Sequence, residues 1–402
     1  MGFQQALSGL NATSRSLDVI GNNIANANTN GMKTSRAEFS ELVASSFGYG
    51  GGSTGGLGVE VATVSQQFTQ GNITVTGNDL DVAINGNGFY RLQMPDGSSA
   101  FSRAGQFKLD KGGFIVTNGG AKLLAYPTTV TGTQTSSTAV PIQLPTAAPI
   151  GAKQTGNLTA AFNVDARAVV ASTATPPTPI TTYGTSITAF DSQGVEVPVS
   201  LYFTKTAQDT WGVFQDPTAA SPLFTMKFKI DGSLDTVTTP PIQTLTLKSP
   251  NTTIGNFTAK LDISKATQFG TQFAVSDLTQ DGYAPGDLTG IKIAENGVIS
   301  ARYSNGQIQA TGRVSLANFR NVQGLTPVGA GNWVETSSSG QPILGGPSEG
   351  KFGKLRSGAL EDSNVDLTAE LVNLITAQRA YQANAKTIET QDQTLQTLIA
   401  IR

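Results

Sequence analysis

The side chains that could perform chemistry in this chain are few, and their types exclude most enzyme mechanisms. The 402 residues include no histidine and no cysteine. These absences exclude Ser-His-Asp and Cys-His nucleophile systems, the usual zinc sites and disulfides. The composition therefore predicts that the protein is not an enzyme and binds no metal or other cofactor.

Two sets of residues match known binding motifs in residue type and spacing, but not in their sequence context. Gly50, Gly52 and Gly55 fit G-x-G-x-x-G, but no apolar strand precedes them, so we interpret them as a glycine-rich loop. Asp79 and Asp81 resemble the start of a calcium loop, yet the next ligand position is alanine and no glutamate occupies the twelfth position. Neither spacing predicts a ligand site.

A third candidate is the carboxylate cluster of Glu361, Asp362 and Asp366. Paired carboxylates are the groups that glycoside hydrolysis uses. These three lie just before a long helical pattern, where negative charge stabilises the positive end of the helix dipole. We interpret them as helix-start charges.

The elements most clearly predicted by apolar spacing are two amphipathic helices, one at each end of the chain. In the first, seven of eight positions spaced by three or four are apolar: Phe3, Ala6, Leu10, Thr13, Leu17, Ile20, Ile24 and Ala27. In the second, eight of ten are apolar: Leu367, Leu371, Leu374, Gln378, Tyr381, Ala385, Ile388, Asp392, Leu395 and Ile399. Asn364 or Asp366 is suited to cap the second helix. The polar Gln378 and Asp392 are either exposed or set the register between helices.

The first helical pattern carries an unusual density of asparagine. Asn22, Asn23, Asn26, Asn28 and Asn30 lie within nine residues, although asparagine is a poor helix former. The last two, with the glycine at 31, suit a helix end. The first three offer side-chain amides that we expect to bond neighbouring subunits. The alternative is that they are solvated polar side chains at a helix end.

The sequence between the helices predicts β-strands, because apolar residues alternate with polar ones and Asn-Gly turns occur at 296 and 305. The predicted fold class is a multi-domain α+β protein. Its long terminal helices form an inner coiled-coil region, and two mainly antiparallel β domains lie between them. We predict an N-terminal helix, a Gly-rich connecting segment, the first part of an inner β domain, an inserted outer β domain, the second part of the inner domain and a C-terminal helix, at 1–30, 31–75, 76–149, 150–282, 283–360 and 361–402.

Charge and hydropathy exclude two classes of partner. The net charge is −2 and no Lys/Arg run occurs, so the sequence predicts no nucleic-acid binding. No stretch is long and apolar enough for a transmembrane helix, and the first residues lack the pattern of a cleaved signal peptide. We expect no membrane insertion.

The two terminal helices have little apolar surface to stabilise each other. A helical stripe is usually part of an intramolecular core, and that interpretation stays open here. The alternative is that the helices become ordered by stacking against further copies of the same chain, in a head-to-tail contact that grows a filament.

Several motifs resemble the rod and hook family of bacterial flagellar axial proteins. NNIANANTNGMK at 22–33 is similar to the N-terminal signature of that family, and the segment at 358–399 is similar to its C-terminal signature. DLDVAINGNGFYRL and FSRAGQFKLDKGGFIV resemble its inner β domain. Length and the motifs GYAPGDL, SLANF and FGKL are most similar to hook members. The resemblance is weak across the inserted domain.

The resemblance implies a structural subunit that self-assembles into the tubular flagellar hook. Such a tube is a flexible universal joint that transmits motor torque from rod to filament and encloses an export channel. The implied partners are further copies, the distal rod protein, the hook cap protein, the hook-filament junction protein and the flagellar type III export apparatus. The implied location is the extracellular flagellum, reached without a cleaved signal peptide.

On this interpretation the helical stripes are the surface of self-assembly. The expected contact residues are Phe3, Leu10, Leu17, Ile20, Asn22, Asn23, Ile24, Asn26, Leu367, Leu371, Leu374, Gln378, Tyr381, Ala385, Ile388, Leu395 and Ile399.

Two alternatives differ in function. A distal rod subunit shares both terminal signatures, but it is typically shorter and lacks so large an inserted domain. A secreted glycan-binding β protein is the alternative from another class, and it would use exposed aromatic residues such as Trp211 and Trp333.

Overall fold

A computed structural model describes residues 2–43, 56–145, 149–174 and 176–400. It has two α-helices, α1 (Gly2–Ala25) and α2 (Leu367–Ala400), and a β-rich middle. The strands are β1 (Ser35–Val43), β2 (Gly56–Gln66), β3 (Ile73–Val75), β4 (Val82–Asn85), β5 (Phe89–Gln93), β6 (Ser99–Ser102), β7 (Phe107–Leu109), β8 (Ile115–Thr117), β9 (Lys122–Tyr126), β10 (Val140–Pro141), β11 (Asn157–Asp165), β12 (Gly184–Phe190), β13 (Glu196–Ala207), β14 (Thr210–Phe214), β15 (Phe224–Lys227), β16 (Ile242–Lys248), β17 (Asn256–Asp262), β18 (Thr267–Phe269), β19 (Ala274–Gln280), β20 (Leu288–Ile293), β21 (Val298–Tyr303), β22 (Ile308–Val314), β23 (Leu316–Asn318), β24 (Thr326–Gly329), β25 (Asn332–Val334), β26 (Ile343–Gly345), β27 (Lys354–Ser357) and β28 (Ala359–Glu361).

The chain divides into two compact units. The terminal unit comprises Met1–Leu144, Gly290–Arg302 and Ile308–Arg402, and the inserted unit comprises Pro145–Thr289 and Tyr303–Gln307. The protein is thus mostly β with one helix near each end. Neither described helix is both long and apolar enough to cross a membrane.

The terminal unit is organised around one large sheet with the strand order β20-β21-β22-β9-β5-β6-β25-β24. The Asn-Gly turns expected at 296 and 305 connect β20, β21 and β22 in a meander, and β7 and β8 form a hairpin. An aromatic cluster packs on this sheet, with edge-on contacts of 5.6–6.0 Å between the ring centres of Phe89 and those of Phe68, Phe319 and Trp333. Two short pairs, β28 with β3 and β27 with β4, precede α2.

The segment predicted as a Gly-rich connection, 31–75, contains a long antiparallel hairpin of β1 and β2. The hairpin lies against α1, where the amide of Val59 donates to Ser8 Oγ at 3.2 Å. Gly50, Gly52 and Gly55 lie outside the described residues. Their composition dominated the sequence interpretation and concealed the strands on either side.

The inserted unit consists of two sheets around a shared core. One sheet has the order β16-β17-β11-β18, with β19 paired to β11, and the other has the order β12-β13-β14-β15. Most pairs are antiparallel, while β11 runs parallel to β17 and β18. Phe162 of the first sheet meets Phe203 of the second at 4.6 Å between ring centres.

Asp281 joins the two ends of the inserted unit. Its carboxylate accepts hydrogen bonds from the amides of Gly156 and Asn157, both at 2.9 Å, and from Lys153 Nζ at 3.2 Å. Partial burial alone would raise the pKa of this carboxyl, but the donors outweigh burial and lower the pKa to about 2.

We expect Asp281→Asn to destabilise the inserted unit at neutral pH by about 1–2 kcal/mol, a value that allows for the partial exposure of the carboxylate. A pKa below the ordinary 3.8 means that Asp281 contributes stability above about pH 4, which is lost as the pH falls towards 2. Urea unfolding at pH 7 and pH 2.5 measures the difference, with exposed Asp277→Asn as the control. A difference of the same size at both pH values would contradict this ionic role.

Candidate assembly surface

The helices α1 and α2 lie side by side in opposite directions. Gly9 of α1 lies beside Asn384 near the end of α2, and Asn23 of α1 lies beside Glu370 near its start. A Cβ atom at Gly9 would lie 3.0 Å from Asn384 Nδ2, so glycine permits the close approach. Asp366 caps α2, since its Oδ1 accepts from the amide of Thr368 at 2.9 Å.

The contact between the helices uses small and polar side chains. The buried positions are Ala6, Ala12, Ile20, Asn23, Glu370 and Ala377. The buried residues 370 and 377 of α2 each come one position before a residue of the predicted apolar stripe, 371 and 378. Because one residue corresponds to about 100° of rotation in an α-helix, the packed face of α2 lies about 100° from that stripe. Such a contact buries little apolar surface.

Large apolar side chains of the helices are instead exposed. They are Phe3, Leu7, Leu367, Leu371, Val372, Ile375 and Tyr381, each between 38% and 59% exposed. Seven large exposed hydrophobic residues on two neighbouring helices are unusual for a monomer and typical of an interaction surface.

The residues predicted for assembly fall into three groups. Phe3, Asn22, Leu367, Leu371, Gln378 and Tyr381 are exposed, whereas Leu10, Leu17, Ile24, Asn26, Leu374, Ala385 and Ile388 are half-buried. Ile20 and Asn23 are buried within the chain. The side chains of Leu395 and Ile399 lie outside the described part of the structure.

Asn23 has an intramolecular role that differs from the predicted contact with a neighbouring subunit. Its Oδ1 accepts from the amide of Ser35 at 2.9 Å, and its Nδ2 donates to the carbonyl of Ser35 at 2.8 Å. This paired bond fixes the end of α1 to the start of β1. Asn26 bonds back to the carbonyl of Asn22 at 2.9 Å, beyond the helix end at Ala25.

A buried charge cluster below the helices was missed by the sequence interpretation. Glu361 is not a helix-start charge. It is fully buried, and its carboxylate bonds Lys33 Nζ at 2.5 Å and Arg103 Nη1 at 3.3 Å. Lys33 also donates to the carbonyl of Thr69 at 2.8 Å, and Arg103 to that of Gly86 at 2.9 Å.

The cluster joins the ends of both helices to the large sheet. Lys33 follows α1, Glu361 precedes α2, and Arg103 follows β6. Burial lowers the pKa of Lys33, and the charge of Glu361 opposes that shift. Nearby, Gly31 has φ +72° and its amide donates to the carbonyl of Glu361 at 2.7 Å. Because a Cβ there would clash with the backbone of Ala104, this connection requires glycine.

Two further observations concern metal binding and glycan binding. Within the described ranges, no three acidic side chains are arranged to hold a metal ion. Trp211 and Trp333 are 0% and 2% exposed, so neither can stack on a sugar. The aromatic residues expected of a glycan-binding protein thus belong to the two cores.

Four family models match successive parts of the chain. They are "Flagella basal body rod protein" at residues 3–33, "Flagellar hook protein FlgE/F/G D1 domain" at 83–166, "Flagellar basal body protein FlaE D2 domain" at 163–283 and "Flagellar basal body rod FlgEFG protein C-terminal" at 356–401. Together with the paired terminal helices and exposed apolar surface, these matches define an axial protein of the bacterial flagellum.

The similarity to full-length relatives is more specific. The chain is 42% identical to the flagellar hook protein FlgE of Salmonella typhimurium and 42% identical to that of Escherichia coli K12, in each case over 100% of both chains. It is 33% identical to that of Rhizobium meliloti, over 100% of this chain and 98% of the relative. The chain belongs to the flagellar hook protein FlgE family.

A solved structure shares the fold. The crystal structure of Helicobacter pylori flagellar hook protein FlgE2 superposes with a TM-score of 0.53 at 15% identity, covering 72% of this chain and 100% of that one.

Proposed function

We propose that the chain is the structural subunit of the flagellar hook, a flexible tube that transmits torque from rod to filament and encloses an export channel. The observation that carries the proposal is the set of large exposed apolar residues on α1 and α2. A subunit that self-assembles needs an exposed apolar surface of this kind, because stacking against further copies would remove that surface from water.

In this proposal the terminal helices form the coiled-coil core of the tube and the β units lie outside it. The described residues among the predicted contacts would meet neighbouring copies, although Ile20 and Asn23 are largely buried within their own chain. The proposed domain boundaries lie at 30, 75, 149, 282 and 360, and the two boundaries of the inserted domain are within seven residues of the limits of the inserted unit at 145 and 289.

Family membership supports a proposal for the partners and the export route. We propose that the assembled tube meets the distal rod, hook cap and hook-filament junction proteins. The subunit would reach the outside of the cell through the flagellar type III apparatus, without a cleaved signal peptide.

The buried charge cluster gives the proposed tube a mechanical connection. Lys33, Glu361 and Arg103 tie the two helix ends to the β sheet of the same unit. Load carried by the helices would therefore reach the sheet through paired charges and backbone hydrogen bonds rather than through a flexible linker.

The proposed function predicts the behaviour of a chain without its helices. Deleting 1–30 and 366–402 removes both helices but keeps the cluster around Glu361, so we expect a folded β monomer that forms no tubes. Circular dichroism, sedimentation velocity and electron microscopy check this result, with the full chain under the same polymerising conditions as control. Tubes from the shortened chain would contradict the role given to the helices.

A further inference from the structure

A groove lies between α1, α2 and the start of the β1–β2 hairpin. Its volume is 670 Å³, and Ala12, Val19, Ile20, Phe39 and Ala377 are among the residues that line it. We call this space the terminal groove. It extends from Gly9 to Asn23 along α1, about 21 Å at ~1.5 Å per residue.

The terminal groove contains one unsatisfied carboxylate. Glu370 is 9% exposed, and its Oε1 accepts a long hydrogen bond of 3.4 Å from Asn23 Nδ2. Its Oε2 has no hydrogen-bond partner among the residues that the structure describes. Burial raises the pKa of Glu370. A buried carboxylate oxygen without a donor is costly, so the groove is suited to an occupant that brings a cation.

We infer that the occupant is α1 of a neighbouring copy, with Arg15 of that copy bonding Glu370. The inference rests on the proposed assembly function. The exposed side of α1 presents Phe3, Leu7, Asn11 and Arg15, which are four residues apart and form one ridge. Arg15 forms no ion pair within the described ranges. The ridge carries two large apolar side chains, Phe3 and Leu7, and ends in a cation, and it complements a groove that contains apolar side chains such as Ile20 and Phe39 and ends in a carboxylate.

The positions along the helices set the register of this contact. Glu370 lies level with Asn23. Placing the neighbour's Arg15 at that level shifts one α1 against the other by eight residues, about 12 Å. The neighbour's Leu7 and Phe3 then lie level with positions 15 and 11, inside the groove. The two α1 helices run parallel, so the same step repeats without closing, as a growing tube requires.

Arg36 of the same chain also lines the groove, but it pairs with Glu38 at 2.8 Å. A competing donor from a neighbouring copy is Arg379, which is exposed on α2. The apolar residues on its ridge, Leu371 and Ile375, precede it in the chain. Bringing Arg379 to Glu370 with those residues in the groove requires the two α2 helices to run antiparallel. That arrangement forms a closed pair of copies rather than a repeating contact.

Cross-linking tests the contact directly, because the chain has no cysteine of its own. An Arg15→Cys chain and a Glu370→Cys chain are combined in one mixture with an excess of unmodified chains. The mixture is polymerised and then treated with a short thiol-bridging reagent. We expect a cross-linked dimer only after assembly, and none when Arg379→Cys replaces Arg15→Cys. Tubes that yield the Arg379 product, or no Arg15 product, would overturn the inference.

Polymerisation of Arg15→Gln provides a second measurement that does not alter the buried residue. Since a charge-assisted bond is lost, we expect the concentration required for assembly to rise about tenfold or more. Lys386→Gln is the matched control, because Lys386 is exposed and already paired with Glu389 in its own helix.

The proposed function and the proposed Arg15–Glu370 contact are contradicted by different results. If the unmodified chain forms no tubes, the proposed function is wrong. If it forms tubes and Arg15→Gln assembles at the same concentration, the function stands and the Arg15–Glu370 contact is wrong.

Discussion

Replacing Glu361 with alanine is expected to lower the free energy of unfolding of the terminal unit by about 3–5 kcal/mol, the usual cost of removing one partner from a buried ion pair. The substitution leaves Lys33 and Arg103 buried, at 0% and 5% exposure, without a compensating charge. Hydrogen exchange measured by mass spectrometry in increasing urea is the appropriate measurement. Peptides that cover 31–36 and 356–362 should lose protection first.

The control for this substitution is Glu349→Gln. Glu349 pairs with Arg313, but its side chain is 53% exposed. Arg313 is 15% exposed, but the exposed Glu349 carboxylate is largely solvated, so we expect the control to lower stability by about 1 kcal/mol or less. Equal and small effects of the two substitutions would show that water reaches Lys33 and Arg103, and the cluster could not then connect the helices to the sheet.

The role of Glu361 illustrates a limit of sequence reasoning. Its position just before α2 suits a helix-start charge, and the real helix start at Asp366 is close to it. Its partners Lys33 and Arg103 are 328 and 258 positions away in the chain. No local spacing indicates such partners. The only available signal was a basic residue following the asparagine-rich segment, and that signal has no specificity.

The helical stripes show which part of a surface can be predicted from periodicity. Apolar spacing correctly indicated both helices, and the Asn-Gly turns correctly indicated the β20–β22 meander. Spacing alone does not reveal which neighbour covers a face. In α1 and α2 small residues such as Gly9 and Ala377 lie at the contact inside the chain, because a close helix contact favours glycine and alanine, while seven large apolar residues are exposed.

The hairpin of β1 and β2 was missed for a different reason. Alternation of polar and apolar residues is confined to 36–40 and 59–61, and a run of glycine and serine separates these two short segments. Composition averaged over the whole segment 31–75 therefore indicated a connection. In the structure α1 packs against the hairpin, through contacts such as that of Ser8 with Val59. Composition does not reveal such a contact between separate elements.

The exposed apolar face of α2 gives the last prediction, the double substitution Leu371→Ser with Ile375→Ser. Both side chains are about half exposed in the single chain, at 49% and 50%, so the stability of the monomer should change little. Assembly that covers the exposed half of each side chain would gain about 0.8–1.5 kcal/mol per side chain, half the value for complete burial.

The concentration required for polymerisation should therefore rise roughly 10- to 100-fold in the double variant, since each 1.4 kcal/mol corresponds to a factor of ten. Sedimentation of polymer at a series of protein concentrations measures this shift, and urea unfolding measures the monomer. Gln382→Ser, an exposed polar position of the same helix, is the control and should leave both quantities almost unchanged. A double variant that polymerises normally would show that this face of α2 remains in water in the tube, because the lost side chains cannot be buried there without a large effect on assembly.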